Sequence, residues 1–134
     1  MKIDNRMCDL AISLAKSSNH HIRVGAVLVS GKEIISVGVN STTKSHPLQK
    51  YYNDMYRGFT VPIHNNIHAE LDAILKYRRM RIVLPKLKIY IARLNRSDQL
   101  LAGKPCPACF PAIKDNLIST IVYSTTKGFE YEIA

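Results

Sequence analysis

Two short stretches carry residue types that do chemistry. His68-Ala69-Glu70 sets an imidazole two residues before a carboxylate, and Pro105-Cys106-Pro107-Ala108-Cys109 sets two thiols three residues apart. Taken singly, each has an ordinary reading. A histidine beside an apolar segment is commonly a structural residue with satisfied hydrogen bonds. A C-x-x-C pair reads as a redox couple or as half of a structural zinc site. No second cysteine pair accompanies it, since the one other thiol is Cys8. Taken together, the two stretches fit a metal. Zinc is borderline-soft and takes thiolate and imidazole ligands. Thiols three apart on a helix fall on one side, and the positive end of a helix dipole favours the thiolate. His68, at another predicted helix start, supplies a third ligand. Three protein ligands leave a fourth position for water, which is the arrangement of a catalytic zinc. Glu70 falls two residues past a ligand, where a carboxylate can take the proton of a metal-acidified water and return it as general acid.

The elements around these residues must bring them together. Residues 4–17 read as an amphipathic helix, with Met7, Leu10, Ala11, Leu14 and Ala15 at helical spacing. Asp4 or Asn5 caps its start, and Cys8 falls on its core-facing side as a small buried apolar residue. Residues 22–30 and 34–39 are β-branched apolar runs around Ser30-Gly31-Lys32-Glu33, a hairpin whose second strand ends at Asn40. Residues 67–79 read as a helix, 86–92 as an alternating strand, 106–115 as a short helix and 118–124 as a strand. The tail 125–134 has room for one edge strand. Residues 41–66 carry two prolines, one glycine and three tyrosines with little periodicity, and read as a long packed loop. Residues 93–105 read as a second polar loop. The order α-β-β-α-β-α-β predicts an α/β fold, a three-layer α/β/α sandwich with a mixed sheet, in a single domain over residues 1–134. Its first two strands are antiparallel and the rest are joined by helical crossovers.

H-x-E followed downstream by P-C-x-x-C is the signature of the zinc nucleobase deaminases. With HAE at 68–70, PCPAC at 105–109 and this element order, the chain resembles the zinc-dependent cytidine and deoxycytidylate deaminases over about residues 5–124. It is closest in kind to the deoxycytidylate (dCMP) deaminases. The resemblance implies a cytidine deaminase-like fold and a catalytic Zn2+ held by His68, Cys106 and Cys109. Glu70 would shuttle protons without binding the metal. The main chain at Ala69 and at Pro105-Cys106 would hold the base carbonyl, and Asn40 would contact the sugar. Read plainly, Asn40 is a turn residue that ends a strand. The implied reaction is hydrolytic deamination at C4 of a cytosine or C6 of an adenine. Glu70 protonates the ring nitrogen and then the leaving amine, and ammonia departs.

Substrate class is less sharply written. The 134 residues include 19 Lys and Arg against 10 acids, a formal net charge of +9. That favours an anionic partner such as a nucleotide or nucleic acid, or serves solubility alone. With 46% hydrophobic and 22% charged residues, the composition excludes a disordered chain. Three cysteines exclude a disulfide scaffold. The N-terminus lacks the apolar stretch of a signal peptide, and no apolar run approaches the ~20 residues that span a bilayer. A cytoplasmic protein without a membrane partner is expected. Lys44, His46, Lys50, Arg57 and Arg23 are candidates to grip a phosphate. Lys76, Arg78, Arg79 and Arg81 read as a solvated helix end that complements the dipole. Tyr51, Tyr52 and Tyr56 either pack the loop or stack bases of a single strand.

The 40–66 insert resembles the substrate and effector loop of deoxycytidylate deaminases, some of which carry a second, structural zinc there. This insert has His46 and His64 but lacks the cysteine that such a second site can use, which leaves a second zinc open. Residues 93–104 depart from many of those enzymes, which run from strand to P-C-x-x-C within a few residues. Family members acting on tRNA usually carry helices after the last strands, and about ten residues follow the fourth strand here. The expected activity is deamination of a small-molecule cytosine nucleotide, dCMP to dUMP, by a homo-oligomer. The alternative is a deaminase of cytosine or adenine in single-stranded DNA or RNA. A non-catalytic zinc module is opposed by Glu70, which ligation does not need. A thiol redox protein is a weaker rival.

Overall fold

The computed structural model describes residues 2–57 and 65–134. Its elements are α1 (Asn5–Lys16), β1 (Arg23–Ser30), β2 (Glu33–Val39), α2 (Pro47–Tyr56), α3 (Ala69–Arg79), β3 (Leu87–Leu94), β4 (Leu100–Leu101), α4 (Cys109–Asp115), β5 (Thr120–Thr125) and β6 (Gly128–Ile133). The sheet runs β2-β1-β3-β5-β6, with β4 paired to β3. β1 is antiparallel to both β2 and β3, while β5 is parallel to β3 and antiparallel to β6. A parallel pair needs a crossover, and α4 supplies it. The sheet is therefore mixed. The last two strands are joined by a tight turn into Gly128 rather than by a helix.

Strand alternation divides the core. Ala26, Leu28, Ile89, Ile91 and Ile121 face the side covered by α2, α3 and α4. Val27, Val29, Tyr90, Ala92 and Val122 face α1, against Met7, Cys8 and Ala11. This is the three-layer sandwich the sequence predicts. Cys8 is buried as expected, and burial, with the charges of Asp9 and Asp4, pushes its thiol up to about 11.

Two glycines let the helices sit close to the sheet. A Cβ on Gly25 would lie 2.3 Å from the carbonyl oxygen of Ala11 in α1, and one on Gly38 would lie 2.1 Å from that of Ala69 in α3. The second approach matters for the site, because it lays the first turn of α3 on β2. Three bonds hold it there. The Val39 N–H donates to Asp72 Oδ2 at 3.1 Å, Lys76 Nζ to the Val37 carbonyl at 2.9 Å, and Ser36 Oγ to the Ala73 carbonyl at 2.7 Å.

The segment read as a loop over 41–66 contains a helix, α2. His46 caps it by accepting the Leu48 N–H on Nδ1 at 3.0 Å, and Pro47 opens it. Its buried face is Gln49, Tyr52 and Asn53. That face has helical spacing but two polar members, so a hydrophobic pattern does not reveal it. The region 93–105 is less open than a loop: β3 extends to Leu94, and β4 folds back on it. Residues 58–64, with His64, lie outside the described residues.

Candidate active site

His68 is the N-cap of α3 and makes no capping bond with its side chain, so the imidazole is free to turn away from the helix. Its N–H donates to Oε1 of the buried Gln49 at 3.1 Å. Cys106 precedes α4 by a turn, with its carbonyl accepting the N–H groups of Cys109 and Phe110 at 3.0 Å each. These two helix starts meet. His68 Nδ1 lies 3.2 Å from Cys109 Sγ and 3.6 Å from Cys106 Sγ. All three ligand atoms fall within 4.8 Å of one another. Zn–S bonds of about 2.3 Å and Zn–N bonds of about 2.0 Å in a tetrahedron place donors roughly 3.5 Å apart. The donor set and its spacing fit zinc.

The electrostatics agree with a metal site. The Cys106 thiol is held down to about 3, first by the thiol of Cys109 donating to its sulfur, against burial and with help from His68. Cys109 is raised well above the ordinary thiol range, because it donates to Cys106 and is buried. Burial pulls His68 down, yet the hydrogen bond to Cys106 and the charge of Glu70 leave it raised. Glu70, 6% exposed, lies outside the ligand cluster. Burial raises its carboxyl, with the neighbouring His68 opposing.

A cavity of about 670 Å³ opens over this floor. Asn40, His68, Ala69, Glu70 and Cys106 line it, while Cys109 is buried beneath. Pro105 is not among the lining residues and has no N–H, so the hydrogen-bonding amide at this point of the chain belongs to Cys106. Asn40 Oδ1 accepts the Val24 N–H at 2.9 Å and Ser18 Oγ at 2.6 Å, and Nδ2 donates to the Ile22 carbonyl at 2.8 Å. It thus staples the strand end and keeps one Nδ2 hydrogen for a ligand.

Of the cations singled out in the sequence for a phosphate, Arg57 lines the cavity and the others do not. Arg23 is engaged by Asp98 and the Asn95 carbonyl, Lys50 pairs with Asp54, His46 caps α2, and Lys44 is exposed. Lys76, Arg78, Arg79 and Arg81 also lie off the cavity. Tyr52 is buried, with Oη donating to Asp115 at 2.7 Å, and Tyr51 and Tyr56 are exposed on α2. None of the three lines the cavity. Sequence reasoning missed His20, His21, Arg93 and Lys104, which do. Arg93 left a signal: it follows Leu87, Ile89 and Ile91 at the next inward position of β3.

The family model of the cytidine and deoxycytidylate deaminase zinc-binding region matches residues 1–125. The chain belongs to this family. It is a hydrolytic nucleoside or nucleotide deaminase, and its cofactor is zinc. The deaminase shares its fold with the dCMP deaminase of the cyanophage S-TIM5 in apo form, at a TM-score of 0.63 and 19% identity, over 92% of this chain and 84% of that one. It is also similar to a cytidine deaminase from Burkholderia pseudomallei, at 0.68 and 14%, over 98% of this chain and 93% of that one. No curated protein sequence matches it closely. Among the described residues of the deaminase, no helix is long and apolar enough to cross a membrane.

Proposed function

We propose that this deaminase acts on a cytosine nucleotide, with dCMP to dUMP as its leading reaction. The observation that carries this reading is the character of the cavity. Its floor joins the zinc cluster to one buried carboxylate, Glu70, while its walls bear Arg57, Arg93 and Lys104 and no further acid among the described residues. The volume suits a mononucleotide. A structure of the cyanophage enzyme in complex with dCMP and dUMP, at a TM-score of 0.56, adds support.

His68, Cys106 and Cys109 hold the zinc, which when bound lowers the pKa of a water towards ~7. Glu70 takes a proton from that water and delivers it to the ring nitrogen as the oxygen bonds to C4, then passes the proton of the resulting C4 hydroxyl to the amine as the C4–N bond breaks. Ammonia leaves and C4 keeps the oxygen as a carbonyl. Burial holds the proton affinity of Glu70 above that of a solvated carboxylate, which suits a group that both takes and returns a proton. The N–H groups of Ala69 and Cys106 hold the base carbonyl, Pro105 fixes the approach of that chain, and the free Nδ2 hydrogen of Asn40 meets the sugar. The reading includes a single domain over 1–134 and a homo-oligomer working in the cytoplasm.

The test is ammonia release by zinc-loaded protein from cytidine, deoxycytidine, CMP, dCMP, dCTP, adenosine and short single-stranded oligonucleotides. dCMP turns over best, and Glu70→Gln loses about 10³-fold or more in kcat while its zinc content is unchanged. Turnover of oligonucleotides alone would replace this reading by the polynucleotide one. Undiminished activity in Glu70→Gln would remove the proton-shuttle role.

A further inference from the structure

Arg93 stands outside the zinc chemistry, and its surroundings call for an anion. It occupies the inward face of β3 after Leu87, Ile89 and Ile91, on the side of the sheet that carries α3 and α4. Its Nε is buried without an acceptor, and its guanidinium has no ion pair or hydrogen bond among the described residues. Buried charged donors without partners are rare in folded proteins. The backbone beneath is fixed, because the Arg93 N–H donates to Oγ of the fully buried Ser124 at 3.0 Å and that hydroxyl donates to the Leu101 carbonyl at 2.7 Å. Arg23 offers the contrast. It has a buried Nε too, but its Nη2 is occupied by the Asn95 carbonyl and Asp98, and it does not line the cavity. Lys104 lines the cavity but is tied to Glu132 at 3.2 Å.

Register supplies the distance. Val24 pairs with Arg93 across β1 and β3, and Asn40 binds the Val24 N–H from the end of β2. Asn40, Val24 and Arg93 form a row across three strands and all line the cavity. At about 4.8 Å per strand, Asn40 and Arg93 stand roughly 10 Å apart. A sugar at Asn40 and a phosphate held by the guanidinium fit that span.

The geometry points to Arg93 as the anchor of the substrate phosphate, the residue that makes this enzyme select nucleoside monophosphates over nucleosides. The inference rests on the cytosine-nucleotide reading above. A planar guanidinium binds phosphate through two parallel bonds, which lysine cannot copy.

The experiment compares kcat/KM for dCMP and deoxycytidine in zinc-loaded wild type, Arg93→Ala, Arg93→Lys and Arg23→Ala. Wild type prefers dCMP. Arg93→Ala loses about 100-fold on dCMP and less than about 3-fold on deoxycytidine, while Arg93→Lys falls between and Arg23→Ala keeps the wild-type ratio. Equal losses on both substrates, or a wild type that prefers the nucleoside, would overturn the assignment. A wild type silent on every cytosine compound would defeat the substrate reading instead. Calorimetric titration of the zinc-loaded protein with inorganic phosphate then decides for Arg93: binding lost in Arg93→Ala upholds the anchor, and equal affinity in both proteins overturns it.

Discussion

Cys8 is 4% exposed between α1 and the sheet, and its folded-state thiol titrates near 11 rather than near the ordinary 9.0. A folded pKa above the unfolded one gives stability that is complete below pH 9 and is lost as the pH climbs towards 11. The shift corresponds to about 2 to 3 kcal/mol. In urea unfolding of the reduced, zinc-loaded protein, the stability advantage of wild type over Cys8→Ala therefore shrinks by about that much between pH 9 and 11. A constant difference would show that Cys8 ionises as freely folded as unfolded. This burial was legible from the helical spacing alone. So were the meeting partners His68, Cys106 and Cys109, because their types and offsets follow from zinc chemistry. Of the cations singled out for a phosphate, Arg57 was legible and the others were not. Charge and loop position favoured Arg23, Lys44, His46 and Lys50, which the fold spends on Asp98, solvent, a helix cap and Asp54. Arg93 escaped because a cation closing an apolar strand face carries meaning only when the face it points to is known.

At the scale of elements, α2 shows what a hydrophobic pattern cannot reveal. Its inward residues form a buried polar chain: Gln49 Nε2 donates to Asn53 Oδ1 at 3.0 Å, and Asn53 Nδ2 donates to Asn65 Oδ1 at 3.0 Å. The chain ends at the metal-ligand candidate His68, whose N–H donates to Gln49 Oε1. Gln49 is thus a positioning residue that fixes where α3 starts and where the imidazole stands. Gln49→Ala leaves the part-buried His68 N–H without its acceptor, at about 1 to 3 kcal/mol of stability. It also weakens zinc binding by about 10-fold or more, the scale of lost outer-shell support at a metal. Tyr52→Phe is the control, since it breaks the bond to Asp115 on the same helix without touching His68. Chelator competition on both variants separates the roles. Equal zinc affinity in Gln49→Ala and Tyr52→Phe would reduce Gln49 to a packing residue. The other helices were legible because their buried faces are apolar, as in α1 with Met7, Cys8, Ala11 and Ala15. β4 was not, since two residues, Leu100 and Leu101, carry no period.

At the scale of the molecule, sheet and layers follow from alternation. β1 and β3 bury both faces and must lie centrally, and the hairpin and the α4 crossover fix the strand directions. The net charge of +9 follows no such rule, and its distribution separates two functions. One group of cations lines the cavity, and Arg78, Arg79 and Arg81 lie exposed at the far end of α3, outside it. A basic surface binds any polyanion through counterion release, whatever the enzyme's substrate. Reversing Arg78 and Arg79 to Glu therefore weakens binding of a single-stranded oligonucleotide. It also lowers the salt slope of log K by roughly 1.4, at about 0.7 per phosphate contact. Turnover of dCMP stays within about 2-fold of wild type, because a mononucleotide in the cavity meets neither residue. The two readouts are taken on the same protein, as fluorescence anisotropy across a salt series and as ammonia release. If turnover fell in step with oligonucleotide affinity, the α3 end would be part of the substrate path, and a polynucleotide rather than a free nucleotide would be what the charge serves.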